Sequence, residues 1–304
     1  MKLGLNAGRA VGFDEDVGIW RLIDHPHSDD LLALLSLESE ALAKCLGERG
    51  GAPRGLPFKP GSLRSFALWE RHMTTAARGM VSYFGSPLLK SIAAGYERLA
   101  GKPIPPMRPR PNYYRFPQYY MSNHRSLMED GEELPWPSFS DVVDFELEIG
   151  LVIAKQVRDC TPSEGLSAIG GFCIVNDWSA RDVQWDDTRR GTFGGVVKAK
   201  TFAGAIGAIV VSADEILPRF NQLTGKVRVN GDIWCEGNTE NAQHDLGEVV
   251  SYAAMGETVY PGDLLSTGTL AGCCGLEIGR FPARGDEVQL EINGLGTLTN
   301  RIGN

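Results

Sequence analysis

Residues 144–154 read Asp144-Phe145-Glu146-Leu147-Glu148-Ile149-Gly150-Leu151-Val152-Ile153-Ala154. In an extended strand successive side chains point to opposite faces, so Asp144, Glu146 and Glu148 share one face while Phe145, Leu147 and Ile149 share the other. The run from Ile149 onward is apolar on both faces, which predicts a strand entering a core. Three stacked carboxylates beside a core are unfavourable unless positive charge lies among them. A bound divalent cation is the simplest source of that charge. A strand with one solvated face gives the same alternation and is the plain alternative.

A second apolar run, Gly170-Gly171-Phe172-Cys173-Ile174-Val175, ends in Asn176-Asp177. A carboxylate emerging at the end of a buried strand can meet others across a sheet. Glu146, Glu148 and Asp177 would then offer three oxygen donors to one ion. Hard oxygen ligands favour Mg²⁺, Ca²⁺ or Mn²⁺ over zinc, and Mg²⁺ is the first expectation.

Other side chains could face the same place. Arg181 and Gln184 are three apart and share a face on a helical turn. They could aim donors at a substrate oxygen, or Arg181 could simply pair with Asp182 or Asp186 at the surface. Lys200 follows the glycine-rich stretch Gly191 to Gly195, which suggests an anion contact, although the spacing of a phosphate-binding P-loop is missing. Gly268-Thr269-Leu270-Ala271-Gly272 reads as a tight loop that could present the Thr269 hydroxyl to a ligand, with Glu277 eight residues beyond that threonine. Of five histidines, His25 and His27 flank a proline, His72 falls in a helical stretch and His244 in a polar turn. His124 follows an aromatic, extended segment and is singled out as a general-base candidate; a partly exposed loop histidine is the alternative. The aromatics of 113–120, Tyr119 among them, suggest a pocket tolerant of flat groups, or ordinary core.

The 304 residues are 42% apolar and 22% charged with a formal net charge of -8, a soluble globular composition for one large domain or two unequal ones. The acidic balance argues against nucleic acid and against anionic membranes as partners. No apolar stretch reaches the roughly 18 residues that span a bilayer, and Met1 to Asn6 lacks a signal-peptide core, so a cytoplasmic location is expected. Six cysteines show no C-x-x-C spacing, which disfavours both zinc and structural disulfides.

Helices are predicted for Ser28 to Cys45 and for Leu68 to Leu99, the second broken at Gly85-Ser86-Pro87. The proline-dense stretch 101–111 cannot be a helix or a central strand and reads as a connector between a smaller N-terminal α/β part, 1–105, and a main domain, 106–304. Strands are predicted at 144–154, 171–176, 206–212, 226–230, 264–267 and 287–292, with helices near 164–170 and 246–254. Asn230-Gly231 predicts a hairpin turn, because both central positions then tolerate positive φ. The fold class is β-rich α+β.

These pieces together resemble the fumarylacetoacetate hydrolase superfamily. The matching stretches are Asp144 to Glu148, Asn176-Asp177-Trp178-Ser179-Ala180-Arg181-Asp182, Lys200-Thr201-Phe202, Val229-Asn230-Gly231, Pro261-Gly262-Asp263 and Gly268 to Gly272. They fall in the family's order over roughly 110–304. The resemblance implies a mixed β-sandwich roll, a homodimer, and one divalent cation per subunit held by Glu146, Glu148 and Asp177. It implies that His124, assisted by Glu277, activates water, and that Arg181, Gln184, Lys200 and Thr269 serve substrate or transition-state oxygens. The activity it implies is metal-dependent hydrolysis of a carbon–carbon bond in a small ketonic substrate, a 1,3-diketone or acylpyruvate. Decarboxylation of a 2-oxo acid such as oxaloacetate, tautomerisation, or a non-catalytic ligand-binding role are the alternatives.

Overall fold

The computed structural model describes residues 1–304. Its acidic segment forms the short strand Val143–Asp144 and, after a break, the strand Leu147–Ile153. The predicted alternation holds across the break. Val143, Phe145, Leu147, Ile149, Leu151 and Ile153 all enter the larger apolar core. On the opposite face Val152 and Ala154 enter a second, smaller core, while Asp144, Glu146 and Glu148 precede them on that face. Burying Phe145, Leu147 and Ile149 completely contributes about 1.5–3 kcal/mol each.

Leu147–Ile153 lies near the middle of a twelve-stranded sheet. On one side it pairs antiparallel with Ile169–Asn176, so that Leu147 sits opposite Asn176 and the chain is delivered directly to Asp177. On the other it pairs with Leu264–Ser266, which in turn runs parallel to Leu63–Phe66. Leu63–Phe66 pairs antiparallel with Tyr119–Ser122 at the sheet's edge. A five-stranded sheet built on Thr224–Val229, Asp232–Asn238, Glu287–Ile292 and Gly296–Ile302 packs across the larger core. Its hairpin turn has φ of 52° at Asn230 and 86° at Gly231, the pair of left-handed residues that the sequence predicts.

The first hundred residues do not form a sheet of their own. Lys2–Asn6 pairs with Val210–Ser212 and extends the large sheet through Arg9–Asp14, Ile19–Ile23 and Leu46–Arg49. The single helix expected over 28–45 is two short ones, Leu31–Leu34 and Ser39–Ala43, because Leu35, Leu37 and Leu42 seat against the smaller core at separate points. The expected strand over 206–212 is likewise two pieces, Gly204–Ile206 and Val210–Ser212.

The long helical region breaks where predicted. Glu70–Phe84 stops at Gly85, and Ser86 caps Pro87–Ala100 by accepting from Leu89 N at 3.2 Å. Glu70–Phe84 begins four residues after Phe66 and lies against the short helix Gly275–Ile278 so closely that Gly79 has no room for a β-carbon beside the Leu276 carbonyl. That contact fixes one wall of the site. The mixed sheets with packed helices make this a β-rich α+β protein. No helix is long and apolar enough to cross a membrane.

Candidate active site

A cavity of about 500 Å³ opens between the Glu70–Phe84 helix, the Arg181–Arg190 helix and the acidic strand. Glu146, Glu148 and Asp177 line its floor, and one carboxylate oxygen from each lies within 4.8 Å of the others. All three residues are at most 6% exposed.

Two cations are woven into this floor. Lys200 Nζ donates to Glu146 Oε2 at 2.5 Å and to Asp177 Oδ2 at 2.8 Å. Arg181 donates from Nε to Asp144 Oδ2 at 2.7 Å, from one terminal nitrogen to Glu146 Oε1 at 2.7 Å, and from the other to Gln184 Oε1 at 2.8 Å. Asp144 also accepts from the backbone N–H groups of Gly275 and Leu276 at 2.8 and 2.9 Å. One buried carboxylate thus ties the guanidinium to the start of the Gly275–Ile278 helix. Glu148 accepts from the hydroxyl of Ser266, and Asp177 from the hydroxyl of Tyr120.

The protonation pattern follows from this wiring. Burial opposes ionisation of Glu146, yet the Lys200 ammonium and the Arg181 guanidinium hold its carboxyl well below the usual range. Burial pushes Glu148 well above it, and the charges of Asp177 and Glu146 add to the rise. Burial also raises Asp177, against the pull of Lys200. Burial disfavours charge on Lys200, but the carboxylates of Asp177 and Glu146 outweigh it and raise its pKa.

Four carboxylates (Asp144, Glu146, Glu148, Asp177) face two cations (Arg181, Lys200), so full ionisation leaves two negative charges uncompensated below the surface. A single divalent cation supplies that balance, and an all-oxygen donor set suits a hard ion. Glu146, Glu148 and Asp177 therefore fit a cation of the Mg²⁺ or Mn²⁺ class.

The same cavity carries a second arrangement. His72, on the first turn of the Glu70–Phe84 helix, places Nδ1 2.9 Å from Glu277 Oε2. Glu277 is held in turn by the Gly272 N–H at 3.0 Å and the Cys274 thiol at 3.4 Å, and its side chain is 1% exposed. The carboxylate aligns the ring and selects the tautomer: with Nδ1–H donating to Glu277, Nε2 keeps its lone pair.

The structure places His72, and not His124, on this cavity. His124 opens a short 3-10 turn, is half-buried, and does not line the cavity. The paired strands explain the swap. Phe66 sits opposite Tyr119 and Leu63 opposite Ser122. The chain that reaches His72 leaves past the Tyr119 end, while the chain that reaches His124 leaves past the Ser122 end, about 10 Å away along the pair. Glu277, expected to assist His124, has His72 as its partner instead.

Arg181, Gln184, Lys200, Thr269 and Tyr119 do line the cavity. The Thr269 hydroxyl is buried and has no hydrogen-bond partner, as a group awaiting a ligand would be. Tyr119 turns its hydroxyl toward Glu257 Oε1 at 3.0 Å, and its neighbour Tyr120 is the tyrosine that reaches the acids. Alternation along Tyr119–Ser122 was the signal that separates the two.

The fumarylacetoacetate (FAA) hydrolase C-terminal family profile matches residues 96–303. A Methanocaldococcus jannaschii protein of unassigned function is 34% identical over 189 residues, 62% of this chain and 73% of that protein. The mitochondrial oxaloacetate tautomerase of Homo sapiens is 30% identical over 181 residues, 58% of this chain and 56% of the human protein. Among solved structures, a fumarylacetoacetate hydrolase from psychrophilic Exiguobacterium antarcticum superposes with a TM-score of 0.69 at 20% identity, covering 99% of this chain and 98% of that one. Fumarylpyruvate hydrolase from Pseudomonas aeruginosa, in complex with Mn²⁺ and pyruvate, superposes with a TM-score of 0.57 at 20% identity over 82% of this chain and 98% of that one.

Proposed function

The chain belongs to the fumarylacetoacetate hydrolase family, and from that premise we propose that it is a metal-dependent hydrolase that cleaves a carbon–carbon bond of an acylpyruvate or related 1,3-diketone. The observation that carries the reading is one cavity lined both by the carboxylates of Glu146, Glu148 and Asp177 and by His72, whose ring is paired with Glu277. When bound by those carboxylates, a divalent cation supplies Lewis-acid polarisation to the oxygens of a 1,3-dicarbonyl.

The chain's own residues supply the rest. His72 Nε2 takes a proton from water as the water oxygen adds to the scissile carbonyl, and Glu277 stabilises the imidazolium that forms. Lys200 and the Thr269 hydroxyl lie along the same cavity and are the donors for the oxyanion, each worth about 3 kcal/mol where geometry is good. The tetrahedral adduct collapses to a carboxylic acid as the carbon–carbon bond breaks, and the imidazolium returns its proton to the departing carbanion. Water and diketone are the only reactants, and a carboxylate and a ketone or 2-oxo acid are the products.

A second reading keeps the base and omits the water. His72 could shuttle a proton between carbon and oxygen of a 2-oxo acid, as the name of the human relative suggests for that protein. Turnover in ¹⁸O-water with Mg²⁺ separates the two. Hydrolysis places one ¹⁸O in the new carboxylate; interconversion of keto and enol forms without cleavage overturns the hydrolase reading.

A further inference from the structure

The far wall of the cavity is apolar and carries no free positive charge. His72 starts a face of the Glu70–Phe84 helix that continues through Met73, Ala76, Ala77 and Met80, all lining the cavity together with Leu276. At 1.5 Å rise per residue this face runs about 12 Å from His72 to Met80. The two alanines leave width beside it. The basic side chains on the cavity wall other than His72 are Arg181 and Lys200, and both sit at the acidic floor, paired with Asp144, Glu146 and Asp177, rather than along this helix face.

Arg71, next to His72, lines a different cavity, and other cations of the surrounding elements are paired. Arg64 pairs with Glu257 and Asp263, Arg78 with Glu97, and Arg190 with Asp186. Arg189 lies over the Trp185 ring and Lys198 over the Phe139 ring. A second carboxylate on the substrate, carried beyond the reacting carbonyls, would exchange water for methyl and thioether groups with no cation to meet it, a costly transfer. An alkyl or aryl tail in the same place gains about 0.8 kcal/mol per buried CH₂.

We infer that this site takes 2-oxo and 2,4-dioxo acids whose far end is an apolar alkyl or aryl group, and discriminates against dicarboxylates of the same length. The inference rests on the reading of the cavity as a metal-dependent 2-oxo acid site, and it names the tail which that site selects. Met73, Ala76, Ala77 and Met80 are the selecting residues.

The test is calorimetric titration of the Mg²⁺-loaded protein with pyruvate, 2-oxohexanoate and 2-oxoadipate. The last two share a six-carbon chain and differ in a methyl against a carboxylate terminus. The expected result is Mg²⁺-dependent binding of all three that rises from pyruvate to 2-oxohexanoate and falls at least tenfold from 2-oxohexanoate to 2-oxoadipate. Met80→Arg, and Met73→Lys as a second and more exposed position on the same face, should narrow or reverse that ratio by fivefold or more. If 2-oxoadipate binds as tightly as 2-oxohexanoate while pyruvate binds, the apolar-tail inference is overturned and the catalytic reading stands. If pyruvate shows no Mg²⁺-dependent binding, the catalytic reading fails and the inference with it.

Discussion

Arg181 Nε and Asp144 Oδ2 form a 2.7 Å ion pair in which neither side chain is more than 2% exposed. The pair couples three parts of the site, since Arg181 also holds Glu146 and Asp144 also holds the start of the Gly275–Ile278 helix that carries Glu277. Breaking a buried pair strands a charge, and about 3 kcal/mol of stability is the usual loss. Asp144→Ala should show that loss in urea unfolding of the Mg²⁺-loaded protein. A change below 1 kcal/mol would mean the pair organises nothing.

His72→Ala and His124→Ala make a decisive comparison. General-base removal costs about 10²–10⁴ in kcat, so the first variant should lose that much turnover of an acylpyruvate at saturating Mg²⁺. His124→Ala should stay within twofold of wild type. The opposite pattern would return the base role to His124 and remove it from the His72–Glu277 pair.

Cation binding should release protons. In the metal-free protein Glu148 is pushed above its ordinary 4.5, so between 4.5 and its raised value the folded state binds more protons than the unfolded state. Stability from this group therefore falls as pH rises through that window. A cation that needs the carboxylate expels the proton, so Mg²⁺ affinity should climb with pH by up to about tenfold per unit within the window. Titration at fixed pH in buffers of different ionisation enthalpy measures the release. Glu148→Gln should reduce it, with Asp177, whose carboxyl is also raised, supplying the rest, and a wild-type release of zero would contradict the raised carboxyl of Glu148. At a hundred times its dissociation constant the cation should also add about 2.7 kcal/mol of stability, which excess chelator removes.

Gly79 and Gly95 test the packing of the cavity wall. A β-carbon at Gly79 would run into the Leu276 carbonyl, whereas Gly95 in the next helix has open space around it. Gly79→Ala should cost about 1–3 kcal/mol and lower kcat, because the helix that moves carries His72. Gly95→Ala should stabilise by about 0.4–1 kcal/mol with kcat unchanged. Thermal unfolding and steady-state kinetics on the two variants report both effects.

The acids were legible in the sequence because period-two alternation is a local property: Phe145, Leu147 and Ile149 announce a buried face, and the carboxylates between them must then share the other. The Asn230-Gly231 turn and the break at Gly85-Ser86-Pro87 were legible for similar local reasons. The base was not. His72 sits on a helix whose neighbours Met73, Ala76 and Ala77 look like ordinary helical filling, and Glu277 lies 205 positions away. The parallel pairing of Leu63–Phe66 with Leu264–Ser266 and the packing of Gly79 on Leu276 bring those two stretches together, and no spacing in the chain encodes either contact. The aromatic residues before His124 drew attention to an imidazole outside the cavity because Tyr119 and Tyr120 do line it. They belong to it from the other end of their strand.

Continuity of the large sheet has a practical consequence for dissecting this protein. The segment before residue 96 caps both flanks of the central strands, through Lys2–Asn6 on Val210–Ser212 and Leu63–Phe66 on Leu264–Ser266. A fragment trimmed to the family-matched region would bare two unprotected strand edges, each a template for self-association, and would discard the imidazole along with them. Grafting the family-matched region onto another protein therefore requires carrying its leading hundred residues as structural cargo.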